Sequence, residues 1–138
     1  MTRDLTNNIK LYVDGVLENS ATCLYTPPYY YSEINIGRDL GWSEYSNGVI
    51  DEVRIWDKVL EQSEIQSNMR KELTGAENGL IGYWPFNEGT GNIAFDKTSN
   101  NNNGTLYGGA MWVNSTAPVW NWLTTNPSSG TIAPDSTG

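Results

Sequence analysis

The sequence predicts an all-β chain, an antiparallel β-sandwich with one short helix. Three observations predict it. Apolar and polar residues alternate over several short runs, as half-buried strands require. Gly, Asn and Pro punctuate those runs at short intervals. One stretch only, residues 58–73, carries apolar residues at a helical period. The 138 residues, 38% of them apolar, have room for one ordinary domain or two incomplete ones.

The elements follow in order. In residues 9–18, Ile9, Leu11 and Val13 share one face, with Lys10 and Tyr12 on the other. Asp14-Gly15 then predicts a type I′ hairpin turn, because both residue types tolerate positive φ. Two prolines make residues 24–31 a loop or a sheet edge. Residues 33–37 predict a short strand ended by Gly37, and 38–48 a loop. Residues 49–56 are the strongest strand signal. Asp51 falls there on the face of Val49, Val53 and Ile55, and Glu52 on the face of Ile50, Arg54 and Trp56. In the helix predicted over 58–73, Leu60, Ile65, Met69 and Leu73 form one stripe, and Thr74-Gly75 ends it. A strand at 79–86, a polar tract at 87–104 and two short strands around Gly108-Gly109 complete the β pattern. From Ser115 the chain turns rich in Pro, Ser, Thr and Gly, which reads as a linker or the opening of another domain.

Composition narrows function. The net charge is −8, so a phosphate backbone is repelled and nucleic acid is not expected as a partner. The chain has no His, which removes the usual general base, the usual zinc ligand and any Ser-His-Asp triad. Cys23 is the single cysteine, so an intrachain disulfide cannot form. The run Ile9–Val13 is too short for a signal-peptide core or a membrane span. The chain therefore reads as a piece of a longer precursor, or as starting at an internal Met.

IKLYVDGVLE, INIGRD and NGVIDEVRIWDKVLEQSEI, in that order, resemble the C-terminal half of a laminin-G-like/pentraxin-like domain. Residues 79–113, GLIGYWPFNEGTGNIAFDKTSNNNNGTLYGGAMWV, resemble the N-terminal opening of the same family. The resemblance implies a concanavalin A-like jelly roll, partial or permuted. It divides the chain into 1–73, a C-terminal half; 74–114, the N-terminal opening strands; and 115–138, a linker or Ig-like start. The halves come in inverted order. Two readings follow: a junction of two tandem domains, or one permuted sandwich in which 79–86 returns beside 49–56. Either leaves the family's middle strands out and sheet edges open. The tail WNWLTTNPSSGTIAPDSTG is similar to the opening of a bacterial Ig-like domain. Such modules occur in large secreted surface proteins, so an extracellular or cell-surface location is implied.

Four residues are candidate metal ligands: Asp39, Asp51, Asp96 and Asn100. The resemblance implies that Ca²⁺ can be held by loop carboxylates and amide oxygens, and it puts Asp39 in the segment that carries acidic ligands in pentraxins. The alternative for Asp96 and the Asn100–Asn103 run is turn capping. The alternative for Asp51 is a buried acceptor bonded to loop amides, or to Arg38 or Arg54. Three aromatics, Tyr30, Trp42 and Tyr45, sit in predicted loops, where rings either stack on sugar faces or cover the ends of the sandwich. Glucanases share the implied fold, but no E-x-D-x-x-E pattern is present, and Asp51 and Glu52 point to opposite strand faces. The expected function is a non-catalytic, extracellular binding or adhesion module for a glycan or glycoprotein, with Ca²⁺ as a candidate cofactor. The competing class is a structural or assembly module that pairs with neighbouring modules or subunits through open sheet edges. A glycoside hydrolase accessory domain ranks below both.

Overall fold

The turn at Asp14-Gly15 organises the first part of the chain. In a computed structural model, which describes residues 1–23, 33–38 and 44–113, both turn residues have positive φ, 50° and 75°. That is the twist a type I′ hairpin needs. Strand β2 (Asn8–Val13) pairs through this turn with β3 (Val16–Thr22), and a short β1 (Thr2–Arg3) adds to the other side of β2. A bulge shifts the β2–β3 register between Leu11 and Tyr12 and leaves Glu18 unopposed. The hairpin tip rests on the helix. Gln66 donates to the Gly15 carbonyl at 2.9 Å, and a Cβ on Gly15 would lie 2.8 Å from the Gln66 side chain.

The second sheet pairs β4 (Val53–Trp56) with β5 (Leu80–Trp84), antiparallel. Helix α1 (Gln62–Asn68) lies between them in sequence. A third, minimal sheet pairs β6 (Ile93–Ala94) with β7 (Gly104–Thr105). The architecture is thus all-β and antiparallel, with one short helix. Among the described residues, its buried apolar side chains are Leu60, Leu73, Leu80, Tyr83, Trp84 and Ala94, with Trp56 packed against the cluster. The core therefore lies along the seam where β4 and the flanks of α1 meet β5 and the loop after β6.

Several elements differ from the sequence expectation. Residues 33–37 form no strand; Ile34 and Ile36 alternate correctly, but no strand pairs with them among the described residues. An isolated bridge there joins Arg38 to Tyr45. The strand expected from 49 begins at 53, because Glu52 takes φ +53° and breaks the extended alternation. The helix is shorter than its apolar stripe. A reciprocal capping box between Glu61 and Glu64 starts it, and beyond its end the Arg54 guanidinium takes the Asn68 and Lys71 carbonyls. Strand β5 stops before Pro85, which has no N–H to donate, and Phe86 follows at φ +53°. Residues 110–113 are not a strand; Tyr107–Ala110 is a turn closed by Ala110 N–H to Tyr107 C=O at 3.1 Å.

Candidate functional site

Tyr83 is the most buried side chain, and its environment shows what the seam's polar groups do. The strand register sets Tyr83 opposite Arg54. The Tyr83 hydroxyl donates to the Glu52 carboxylate, 2.8 Å from Oε2, and accepts the Leu73 N–H at 3.3 Å. Arg54 pairs with Glu52, lies 5.2 Å from the Tyr83 ring centroid, and donates to Asn68 O at 2.5 Å and Lys71 O at 2.6 Å. Burial first, then the Glu52 carboxylate, push the Tyr83 hydroxyl up to about 12. It stays protonated at neutral pH and works as a donor, not a nucleophile. The cluster ties β4, the end of α1 and β5 together. Sequence reasoning named Asp51 as the inward carboxylate, whereas Glu52 fills that role. The signal was present: Glu52 and Arg54 share one strand face, and Tyr83 stands at the centre of the partner strand.

Asp51 is half-buried, and its Oδ1 accepts the N–H of the adjacent Glu52 at 2.9 Å, not an arginine. This is the turn-amide alternative. The paired-carboxylate comparison goes no further, since Glu52 is committed to Tyr83 and Arg54.

Asp96 is buried, and both its oxygens are occupied. Oδ1 accepts the N–H groups of Tyr83 (3.0 Å) and Thr98 (2.9 Å), and Oδ2 accepts the Thr98 hydroxyl (2.9 Å) and the Asn102 N–H (3.0 Å). Burial on its own raises this carboxyl's pKa, but the Thr98, Tyr83 and Asn102 amides outweigh it and hold the group below the usual carboxylate value. Asn103 accepts the Asp96 N–H at 2.9 Å, and Asn100 donates to Ile81 O at 2.9 Å. A calcium ion needs bare oxygens pointing inward. Here the Asp96 lone pairs face N–H and O–H donors, and the Asn100 amide donates from Nδ2 to a strand carbonyl. This loop is built as a turn organiser that docks on β5. Among the described residues, no three Asp, Glu, Cys or His side chains converge as a metal site, and no hydrogen bond links Asp51 to Asp96 or Asn100. Asp39 lies outside the described residues, as do Tyr30 and Trp42.

Tyr45 is the aromatic candidate that the structure describes, and it is 52% exposed. Two features fix it. The backbone bridge to Arg38 aligns its segment, reinforced by Ser46 N–H to Gly37 O at 2.8 Å. The ring also packs so closely on Gly108 that a Cβ there would lie 2.4 Å from Tyr45 Cε1. Gly108 is at φ +64°, in the turn that follows Tyr107. The Arg38 guanidinium carbon lies 5.5 Å from the Tyr45 ring centroid, and Arg38 Nε is buried without a hydrogen-bond partner. The sequence pattern nominated Tyr45, but not the Arg38 and Gly108 contacts that hold it.

No helix among the described residues is long and apolar enough to cross a membrane. Comparison with curated proteins and with solved structures finds no match to the chain. The family model of the concanavalin A-like lectin/glucanases superfamily, laminin-G type, matches residues 1–66, which hold the β1–β3 sheet, β4 and the first turns of α1. Over residues 1–66 the chain is similar to the laminin-G-like group of the concanavalin A-like lectin/glucanases superfamily.

Proposed function

We propose that the chain is a non-catalytic binding module of a larger extracellular or cell-surface protein, recognising carbohydrate or glycoprotein. The observation that carries this reading is Tyr45, a half-exposed ring held rigidly by Gly108 and Arg38 at the edge of a laminin-G-like fold. A fixed aromatic face binds a sugar at small entropic cost, because its own freedom is already spent. The committed states of Glu52 and Asp51 support the non-catalytic part. The occupied oxygens of Asp96 support recognition without calcium. A glycan array read with and without EDTA tests this. Binding that survives EDTA is expected, and a complete lack of glycan binding in both arms overturns the reading.

The β4–β5 pairing also supports the permuted organisation, in which residues 74–114 complete what 1–73 begin. A second reading, assembly with neighbouring modules or subunits, is favoured by one observation. Strand β3 is exposed along its whole length, and Leu11, Val13 and Val16 are about half exposed. Light scattering separates the two: a clean monomer at high concentration removes the assembly reading and leaves the first untouched.

A further inference from the structure

We infer that the Tyr45 site selects glycans that carry a carboxylate, with Arg38 as the group that reads it. This rests on the binding reading above and narrows it to a ligand class. Four of the other cations are engaged within the chain. Arg54 is consumed by Glu52 and two carbonyls, Arg3 donates to Asn7 at 2.7 Å, Lys58 pairs with Glu64, and Lys97 pairs with Glu72. Arg38 is different. Among the described residues it has no ion pair and no side-chain hydrogen bond, although it is half-buried and its Nε is cut off from water. A guanidinium presents five donors in a fixed fork that matches a carboxylate bidentately. Leaving one of those donors buried and unmatched has a cost that an incoming acceptor would remove.

The fork is also aimed by its surroundings. The guanidinium lies over the Tyr45 ring, and the Arg38–Tyr45 backbone bridge fixes both residues relative to each other. A sugar acid offers both halves of a match, an apolar C–H face for the ring and a planar carboxylate for the fork. The chain's net charge of −8 opposes an anionic ligand. Exposed charges more than about 8 Å away are largely screened at physiological ionic strength, whereas a direct pair is not. The contact therefore decides the preference, and the net charge lowers the association rate.

The test uses an array of matched glycans, each terminated by a uronic acid or by the same sugar with its carboxylate reduced to the alcohol. Wild type is expected to prefer the acid form by about tenfold, the scale of one charge-assisted pair. Arg38→Gln is expected to abolish that preference, so that acid and alcohol forms bind equally. Gly108→Ala, which pushes a Cβ into the Tyr45 ring, is expected to weaken both. Circular dichroism of Arg38→Gln checks that the fold is intact, as expected for a residue outside the core. Equal binding of acid and alcohol forms by wild type overturns the carboxylate inference and leaves the binding reading standing. So does an acid preference unchanged in Arg38→Gln. Binding of neither form by wild type overturns both.

Discussion

The seam between β4 and β5 and the three-stranded sheet β1–β3 are built from the same kind of sequence but packed differently. In the seam, Tyr83 is fully buried, and Leu73, Leu80 and Trp84 are nearly so. Its polar groups are matched apart from Arg54 Nε, which is buried without a hydrogen-bond partner. In the sheet, β2 and β3 make a longer ladder, yet Leu11, Val13, Val16 and Leu17 keep 42–52% of their surface exposed. Backbone pairing is therefore not what distinguishes the two regions. Burial is, since net stability comes mainly from apolar area removed from water while ladder hydrogen bonds largely replace bonds to water. The part of the molecule that looks most like a sheet thus contributes less to the core than a pair of short strands crossing a chain boundary that the sequence suggested at residue 73.

The largest effect should come from the seam. Tyr83→Ala removes the one large side chain that is fully buried among the described residues and leaves Glu52 and the Leu73 N–H without their shared partner. A loss of about 3–5 kcal/mol is expected, read from chemical denaturation of the full chain. A loss below about 1 kcal/mol would show that the seam is not the core, and the contrast would fail. Tyr83→Phe separates the two contributions, because it keeps the ring and removes only the hydroxyl, and should cost about 1–2 kcal/mol.

Acid should act on the next tier, through the carboxylates that organise turns. The pKa of Asp96 is lower in the folded chain than its ordinary 3.8. Its contribution is therefore complete above the unfolded value and is lost as the pH falls below about 4. Asp4 behaves alike in the sheet. The Thr6 hydroxyl, followed by the Asn8 amide, draws its carboxyl down to about 2, so its share is lost between the ordinary value and that one. The two differ in depth, since Asp4 is bonded at an exposed turn and Asp96 is buried under β5. Asp96→Asn is expected to cost roughly 1–3 kcal/mol at pH 7 and to flatten the melting temperature between pH 5 and 3. Asp4→Asn should change the same profile less. An Asp96→Asn chain as acid-sensitive as wild type would remove Asp96 from this role.

What the sequence made legible divides along the same line. The hairpin was readable because Asp14-Gly15 is a local signal: positive φ at two adjacent positions needs no distant partner. The helix start was readable in kind but not in place, because the capping box at Glu61 and Glu64 competes with an apolar stripe that extends past both ends. Leu60 and Leu73 belong to that stripe by spacing, yet they are buried from the flanking turns. The seam was the hardest to read. Alternation placed Asp51 and Glu52 on opposite faces, but nothing local said which face Tyr83 would meet, and the positive φ at Glu52 breaks the alternation on which those faces were assigned. Asp96 and Asn100 were legible as oxygen-rich loop residues. Their number could not tell ligand from turn organiser, because that depends on whether donors or a cation fill the lone pairs. Tyr45 was legible as a loop aromatic, but Gly108, more than sixty positions away, was not legible as its support.

The smallest effect should come from the sheet, and it tests the contrast from the other side. Leu11 lies opposite Asn19 in the ladder and is 48% exposed, so truncation removes little surface that folding had taken out of water. Leu11→Ala is expected to lower stability by about 1 kcal/mol or less, several-fold below Tyr83→Ala in the same denaturation experiment. If the face is used to assemble with a neighbour, the same substitution should act on association instead, leaving the melting curve at low concentration unchanged and reducing the particle mass at high concentration. A loss of more than about 2 kcal/mol at low concentration would mean that the sheet is as well covered as the seam. The difference between a ladder and a core would then have to be abandoned for this chain.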